Sequence, residues 1–201
     1  MSEEEIRYDL LHMEENEIVK KYLLSTEVWY FIGYQQMKYD AFLDKLDIMN
    51  RIIANHLGVC MKNILIVGSA KTGYSFSPTK LLKKFDSDDE NESDLDIAIV
   101  SDKYFSECWD LARDETSTRY TRYYADISSG VFNGFICKKA LEEIPSIRRV
   151  WNEKVRELKI ELQQQVSIEH PINFRIYRSW EDLEAYHIRG IGKLKKKMSE
   201  G

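Results

Sequence analysis

The sequence predicts an α/β (α+β) fold, with a mixed sheet flanked by helices and a helical N-terminal extension. Residues 1–60 carry apolar side chains at helical spacing, and further helical patterns follow residue 101. Between them, two β-branched-rich runs at Ile64–Val67 and Leu95–Val100 are typical of strands buried on both faces. With 201 residues, 43% of them hydrophobic, the chain has the size of a single domain.

The clearest helix in the N-terminal part is predicted over Tyr39–Leu57. Its apolar residues recur every three or four positions on one stripe, and Gly58 follows as a C-terminal stop. We divide the predicted domain, residues 1–201, into a helical part over 1–60, a core with inserted helices over 63–178, and a C-terminal helix over 179–201. An earlier helix is expected from about Glu15 onwards.

Three further elements are expected in the second half of the chain. Ser146 is a natural N-cap for a helix with an apolar stripe, and Ile172–Tyr177 alternates in the manner of a strand. Ser179 opens a sequence that resembles a capping box, so a last helix is predicted there. The helix is expected to stop near Gly190 and Gly192.

Composition narrows the class of protein. A net charge of −5 argues against a surface built for nonspecific duplex binding, which needs clustered Lys and Arg. The cysteines Cys60, Cys108 and Cys137 lie far apart and are interpreted as reduced thiols. The chain has neither a signal-peptide pattern nor an apolar run of membrane-spanning length, which predicts a cytoplasmic protein without membrane association.

The first chemical motif is Gly68-Ser69, directly after the first predicted strand. A glycine at the end of a strand lets the backbone turn tightly and approach a phosphate. Exposed amides and the Ser69 hydroxyl can then donate hydrogen bonds to phosphate oxygens. By itself this pair is also compatible with an ordinary turn that ends a strand.

The second motif, Asp94 and Asp96, lies at the second predicted strand. Residues two apart on a strand project to the same face, so the two carboxylates are expected within a few ångströms of each other. A divalent cation relieves their repulsion, and carboxylate oxygens suit Mg²⁺ or Mn²⁺ bridging to phosphate. Leu95 and Ile97 are expected to point into the core.

Together, GS-x-x-x-G followed by S-D-L-D-I-A-I-V resembles the signature of the nucleotidyltransferase superfamily related to DNA polymerase beta. The detailed resemblance covers residues 63–101. It implies that Gly68 and Ser69 contact the triphosphate of a nucleoside triphosphate, with ATP the expected substrate, and that Asp94 and Asp96 bind Mg²⁺ or Mn²⁺ and are catalytic. A third acid on a neighbouring strand completes the site in that superfamily.

The reaction implied by this resemblance is attack of a hydroxyl on the α-phosphorus, with pyrophosphate leaving. The acceptor stays open between a protein, a nucleic acid and a small molecule. Many small bacterial members belong to toxin–antitoxin or phage-defence loci, so a partner protein or RNA is a candidate partner. The N-terminal helices are candidates for a homo-oligomer or partner interface.

Other charged residues belong to the same predicted site. Lys71 is expected to contact phosphate, and so is Arg175, or Arg178 in its place. The third acid is harder to assign, because the strand expected to carry it presents Asn173 and Arg175 instead. Asp126 is the candidate metal ligand if its segment is a strand. Without a third acid, the chain would bind nucleotide with one metal, react slowly, or be a catalytically degenerate module that binds nucleotide or a partner protein without turnover.

Two segments carry further expectations. The connection from Ser69 to Asp94 is longer than is usual in that superfamily, and its acidic stretch, residues 85–92, is expected to be a mobile, solvated loop. Aromatic and arginine side chains over residues 119–135 are candidates either for stacking on bases or for core packing.

Overall fold

A computed structural model of the chain describes residues 2–87, 92–115 and 122–200. The strands are β1 (Ile64–Val67), β2 (Leu95–Val100), β3 (Phe135–Ile136) and β4 (Ile172–Tyr177). The helices are α1 (Glu3–His12), α2 (Glu15–Ile18), α3 (Tyr39–Leu57), α4 (Ser69–Thr72), α5 (Asp102–Asp114), α6 (Tyr124–Phe132), α7 (Lys138–Glu143), α8 (Pro145–Val166) and α9 (Trp180–Ser199). Two π-helical turns, Val19–Leu23 and Tyr30–Tyr34, and a 3-10 turn, Met61–Asn63, complete the described elements.

The strands form one mixed sheet in the order β1-β2-β4-β3. The predicted strands β1, β2 and β4 are confirmed, and a mixed α/β architecture with them. The two-residue strand β3 was not predicted. It pairs antiparallel with β4, Phe135 opposite Tyr177, and is too short to produce a recognisable alternation.

Helices with a long apolar stripe match their predictions closely. α3 has the predicted bounds Tyr39–Leu57. α8 buries the predicted stripe, but Ile144, not Ser146, occupies its N-cap position, so that prediction is wrong. The helix already begins at Pro145, because the fixed φ and missing N–H of proline suit the first helical position.

The predicted end of the last helix is wrong, although its beginning is confirmed. The Asp182 amide donates to Ser179 Oγ at 3.2 Å, the expected cap interaction. α9 then continues through both glycines to Ser199. The buried Ile191 and Leu194 beyond Gly190 explain this, since burying one such side chain is worth about 1.5–3 kcal/mol and a helical glycine costs only about 1 kcal/mol.

Clustering of contacts divides the chain into two compact units. The first, here called the turn unit, comprises Met1–Leu43, Ile66–Asp96 and Glu184–Gly201. Its core holds the apolar faces of α1, of α2 with the π-helical turn that follows it, and of the second half of α9. The cluster contains Ile6, Leu10, Ile18, Val19, Tyr22, Leu23, Leu82, Ile191 and Leu194.

Charged contacts also hold the N-terminal helices within the turn unit. Asp9 is buried, and its carboxylate accepts hydrogen bonds of 2.5 Å from Lys21 Nζ and Tyr22 Oη. Burial raises the pKa of Asp9, but these two hydrogen bonds outweigh it and lower the pKa below its usual value. Lys195 of α9 donates to the Met13 carbonyl at 2.8 Å.

The second unit, here called the helical unit, comprises Asp44–Leu65 and Ile97–Leu183. Its core is organised by α8, whose buried stripe includes Trp151, Leu158 and Leu162. The Trp151 ring packs edge-on against Phe174 of β4, with ring centroids 5.5 Å apart. Within the described residues, no helix of the protein combines the length and apolarity needed to cross a membrane.

Candidate phosphate-binding site

The candidate site begins at the turn that follows β1. Gly68 has φ 71° and ψ −157°, a backbone conformation that is essentially restricted to glycine. It precedes the short helix α4, so that Ser69 lies directly at the end of the buried strand. The tight turn expected after the strand is therefore present, and its conformation requires the glycine.

Asp96 of β2 packs directly against this turn. A Cβ atom added to Gly68 would lie 2.9 Å from Asp96 Oδ2 and 3.6 Å from Asp96 Cβ. Its strand neighbours Leu95 and Ile97 are fully buried, as predicted, whereas Asp96 is half-buried. The glycine thus serves two purposes, because it permits the turn and leaves space for the carboxylate.

A cavity of about 310 Å³ lies beside the turn and brings together Ser69 and Asp94, two of the predicted site residues. The described residues that line it are Ser69, Ser75, Lys80, Lys83, Lys84, Glu92, Ser93 and Asp94. All of them are polar or charged. The cavity is therefore suited to a ligand with several charged oxygen atoms rather than to an apolar one.

The three lysines of this cavity were not among the predicted site residues. They lie in the long connection between α4 and β2, within its described part up to Ser87. The available signal was the alternation of Lys80, Lys83 and Lys84 with Leu82 and Phe85, both of which are buried.

Backbone hydrogen bonds close this connection into a hairpin-like segment. Tyr74 and Lys84 form an antiparallel bridge. The Ser75 amide donates to the Lys83 carbonyl at 2.9 Å, and the Leu82 amide donates back to the Ser75 carbonyl at 3.1 Å. We call residues 74–84 the lysine hairpin.

The predicted acidic loop lies only partly within the described residues. Asp88, Asp89 and Glu90 lie outside them. Asp86 and Glu92 are exposed, and the Asp86 amide donates to Ser93 Oγ at 2.8 Å, which joins the two described ends of the loop. The solvated character expected of this stretch is present at these two acids.

Lys71 lies on α4, but its side chain is buried. Only 1% of Lys71 is exposed, and its Nζ donates to the Ser25 carbonyl at 2.5 Å. Burial lowers the pKa of the Lys71 ammonium to about 8, against a weaker opposing effect of Glu27. Lys71 is not among the described residues that line the cavity.

The remaining predicted residues belong to the helical unit. Arg175 of β4 is half-buried, lies over the Phe135 ring at 5.4 Å from its centroid, and donates to Tyr177 Oη at 3.4 Å. Asp126 was proposed as a metal ligand on condition that its segment is a strand. The segment is helix α6, and the exposed Asp126 carboxylate pairs with Lys139, so the condition fails.

Asp126 fell on a helix because the apolar-acid-apolar pattern around it is too short to separate the two periodicities. Tyr124, Ala125 and Ile127 suit a strand, yet only Ile127 of these is buried, as expected for one face of a helix. Of the aromatic and arginine segment, Arg119 and Tyr120 lie outside the described residues. Tyr124 and Phe132 are exposed rather than packed in a core.

The donor groups beside the turn decide which metal ion could bind there. No cluster of three or more His, Cys, Asp or Glu side chains able to hold a metal ion occurs in residues 2–87, 92–115 and 122–200. Asp94 and Asp96 supply two carboxylates beside the turn. Mg²⁺ is commonly bound by one or two carboxylates together with substrate phosphates and water, so the pair fits a cation that arrives with a phosphate ligand.

Comparisons with protein-family models, with curated proteins and with solved structures found no match for this chain. Its function is therefore inferred from these residues and their geometry.

Proposed function

We propose that this chain is a metal-dependent nucleotidyltransferase, which transfers a nucleoside monophosphate from a triphosphate, with ATP the expected donor, to a hydroxyl group. The acceptor belongs to a protein, a nucleic acid or a small molecule. By the resemblance stated above, a toxin–antitoxin or phage-defence system is its expected setting, with a partner protein or RNA as a candidate partner.

One observation carries this proposal: the Asp96 carboxylate packs against Gly68, while Asp94 and Ser69 line one cavity. The two carboxylates beside this strand-ending turn supply hard oxygen ligands for a divalent cation that arrives with a phosphate ligand. The cation would compensate the carboxylates, and the turn would receive the phosphate oxygens.

In this proposal, each residue has a defined task. The Ser69 hydroxyl donates a hydrogen bond to a phosphate oxygen, and Gly68 keeps the space between turn and strand clear of a side chain. Asp94 and Asp96 hold Mg²⁺ or Mn²⁺, which when bound would stabilise the negative charge that develops on the phosphate. A new bond forms between the acceptor oxygen and the α-phosphorus as the bond to the pyrophosphate oxygen breaks, and the acceptor proton leaves to solvent.

A transfer assay with α-labelled nucleoside triphosphates and Mg²⁺ tests the proposal. The chain is incubated with cell extract, total RNA or water as the source of acceptor, and transferred label is measured. Asp94→Asn and Asp96→Asn remove one negative charge each at nearly constant shape, so we expect either to reduce labelling by at least about tenfold. Asp44→Asn, an exposed acid on α3, is the matched control and should label normally.

The alternative, a nucleotide-binding module without turnover, is favoured by one specific observation. β4 carries Asn173 and Arg175 where the superfamily has its third acid, and the described residues contain no three-ligand cluster. The module predicts a rise in melting temperature with ATP and Mg²⁺, but no transferred label with any acceptor. Labelling that survives Asp96→Asn unchanged would contradict the enzyme proposal, and no thermal shift with any nucleotide would contradict both.

A further inference from the structure

The cavity beside Gly68 has a lining that favours one class of ligand. Among the described residues, its walls contain three serines, three lysines and two acids. Lys80, Lys83 and Lys84 outnumber Glu92 and Asp94, in a protein whose net charge is −5. Ammonium groups beside hydroxyl donors are a suitable environment for a chain of phosphate groups.

The lysine hairpin holds these ammonium groups on an anchored backbone. Leu82 is 4% exposed and belongs to the main core cluster of the turn unit. Phe85, 3% exposed, contacts the rings of Trp29, Tyr30 and Tyr34 at centroid distances of 5.7–5.8 Å. The lysine side chains are exposed, but their Cα positions are fixed, so binding costs the side-chain entropy of the lysines without the ordering of a loop.

The walls of the cavity do not favour recognition of a nucleobase. Bases are usually recognised by stacking on aromatic rings, and the described residues that line this cavity include none. Lysine ammonium groups are not planar, so they recognise the charge and spacing of phosphate groups rather than the hydrogen-bonding edge of a base.

We propose that Lys80, Lys83 and Lys84 form a subsite for a linear polyphosphate chain, which is recognised through its successive phosphates and not through an attached nucleoside. The ligand is either the triphosphate tail of a nucleotide or free inorganic polyphosphate. The subsite adds a substrate-binding element to the proposed function. It depends on that proposal only where the ligand is a nucleotide. Binding of the free chain requires only the lysine-lined cavity.

Isothermal titration calorimetry of the full chain with inorganic tripolyphosphate, pyrophosphate and orthophosphate tests chain recognition. We expect affinity to rise with chain length, because additional lysines engage additional phosphates. ATP, GTP and CTP should bind with dissociation constants within about threefold of one another, since the base contributes little. Orthophosphate binding as tightly as tripolyphosphate, or a strong preference for one base, would overturn the proposal.

The residues are tested with the triple variant Lys80→Gln, Lys83→Gln, Lys84→Gln. Its matched control is Lys193→Gln, Lys196→Gln, Lys197→Gln, which removes the same charge from exposed positions on α9. We expect tripolyphosphate affinity to fall by about tenfold in the hairpin variant, from the usual worth of exposed ion pairs, and to change little in the control. An equal loss of tripolyphosphate affinity in both variants would mean that only the long-range effect of net charge is involved, and it would overturn the subsite.

Two measurements separate this proposal from the nucleotidyltransferase proposal. Tripolyphosphate binding that depends on the hairpin lysines, with no label transferred from any nucleotide, supports the subsite and contradicts the enzyme. Label transfer that depends on Asp96 but is insensitive to the lysine substitutions supports the enzyme and overturns the subsite. If the triple variant folds poorly, the single variants Lys80→Gln and Lys84→Gln, both at exposed positions, are measured instead. Each should show a smaller loss of tripolyphosphate affinity.

Discussion

Replacing Gly68 by alanine tests the geometry on which the candidate site depends. The residue has φ 71° and ψ −157°, a conformation that costs a non-glycine residue about 1–3 kcal/mol. The new methyl group would also lie 2.9 Å from Asp96 Oδ2, so the carboxylate would have to move. We therefore expect Gly68→Ala to lower the free energy of unfolding by about 2 kcal/mol, and to weaken phosphate-ligand binding as well.

Gly190→Ala is the matched control, because it makes the same chemical change at a helical glycine of α9. A Cβ atom there meets no atom within 4 Å. An alanine in a helix interior is more favourable than glycine by about 0.5–1 kcal/mol, so this variant should be stabilised. The two substitutions should therefore shift stability in opposite directions, which separates local geometry from a general effect of alanine.

Urea unfolding at neutral pH measures both effects through the transition midpoint, provided that the m-value is unchanged. Repeating Gly68→Ala in an Asp96→Ala background separates the two causes. The methyl–carboxylate contact is lost in this background, whereas the backbone strain remains, so the cost should become smaller without vanishing. A Gly68→Ala variant as stable as the unmodified protein would refute this account of the turn.

Two further predictions concern buried side chains. Burial lowers the pKa of Lys71 to about 8 from its usual 10.5, so the unfolded chain binds the proton more strongly between these values. Stability should therefore rise with pH across this window, by up to about 3 kcal/mol. Lys71→Met should lack this gain. Cys108, whose pKa is raised to about 12, lowers stability as the pH rises, in both the variant and the unmodified protein. The difference between their free energies of unfolding, measured with urea at each pH, therefore removes the contribution of Cys108. A pH-independent difference would contradict the assignment. In α8, Leu162→Ala should cost about 2–5 kcal/mol, since Leu162 is fully buried, whereas Ile160→Ala at a 48% exposed position should change stability by no more than about 0.5 kcal/mol in thermal or urea unfolding.

Local signals determined the elements that have a long or uninterrupted apolar pattern. The bounds of α3 were predictable because its stripe spans several turns and ends at a glycine. β1 and β2 were predictable because β-branched runs of that length suit a strand buried on both faces. The same reasoning failed at α6, where three apolar residues around Asp126 could not distinguish a strand from a helix.

Tertiary packing determines the end of α9 and the position of the Lys71 side chain, which local sequence patterns do not indicate. The glycines of α9 signal a helix end, yet Ile191 and Leu194 are buried in the core of the turn unit and extend the helix. Lys71 follows the Gly-Ser pair like a phosphate ligand, yet its ammonium group is buried and donates to Ser25. In both cases the deciding partner is distant in sequence.

By itself, the sequence determined the two core strands, the strand-ending glycine and the pair of aspartates two residues apart, because each depends on backbone periodicity or on the conformational range of one residue. Only the tertiary structure decided which polar side chains share a cavity. The three cavity lysines lie beside Ser69 and Asp94 in a segment whose Leu82 and Phe85 are buried against residues distant in sequence. Chain periodicity specifies the direction of a side chain, whereas packing between distant segments specifies its neighbours.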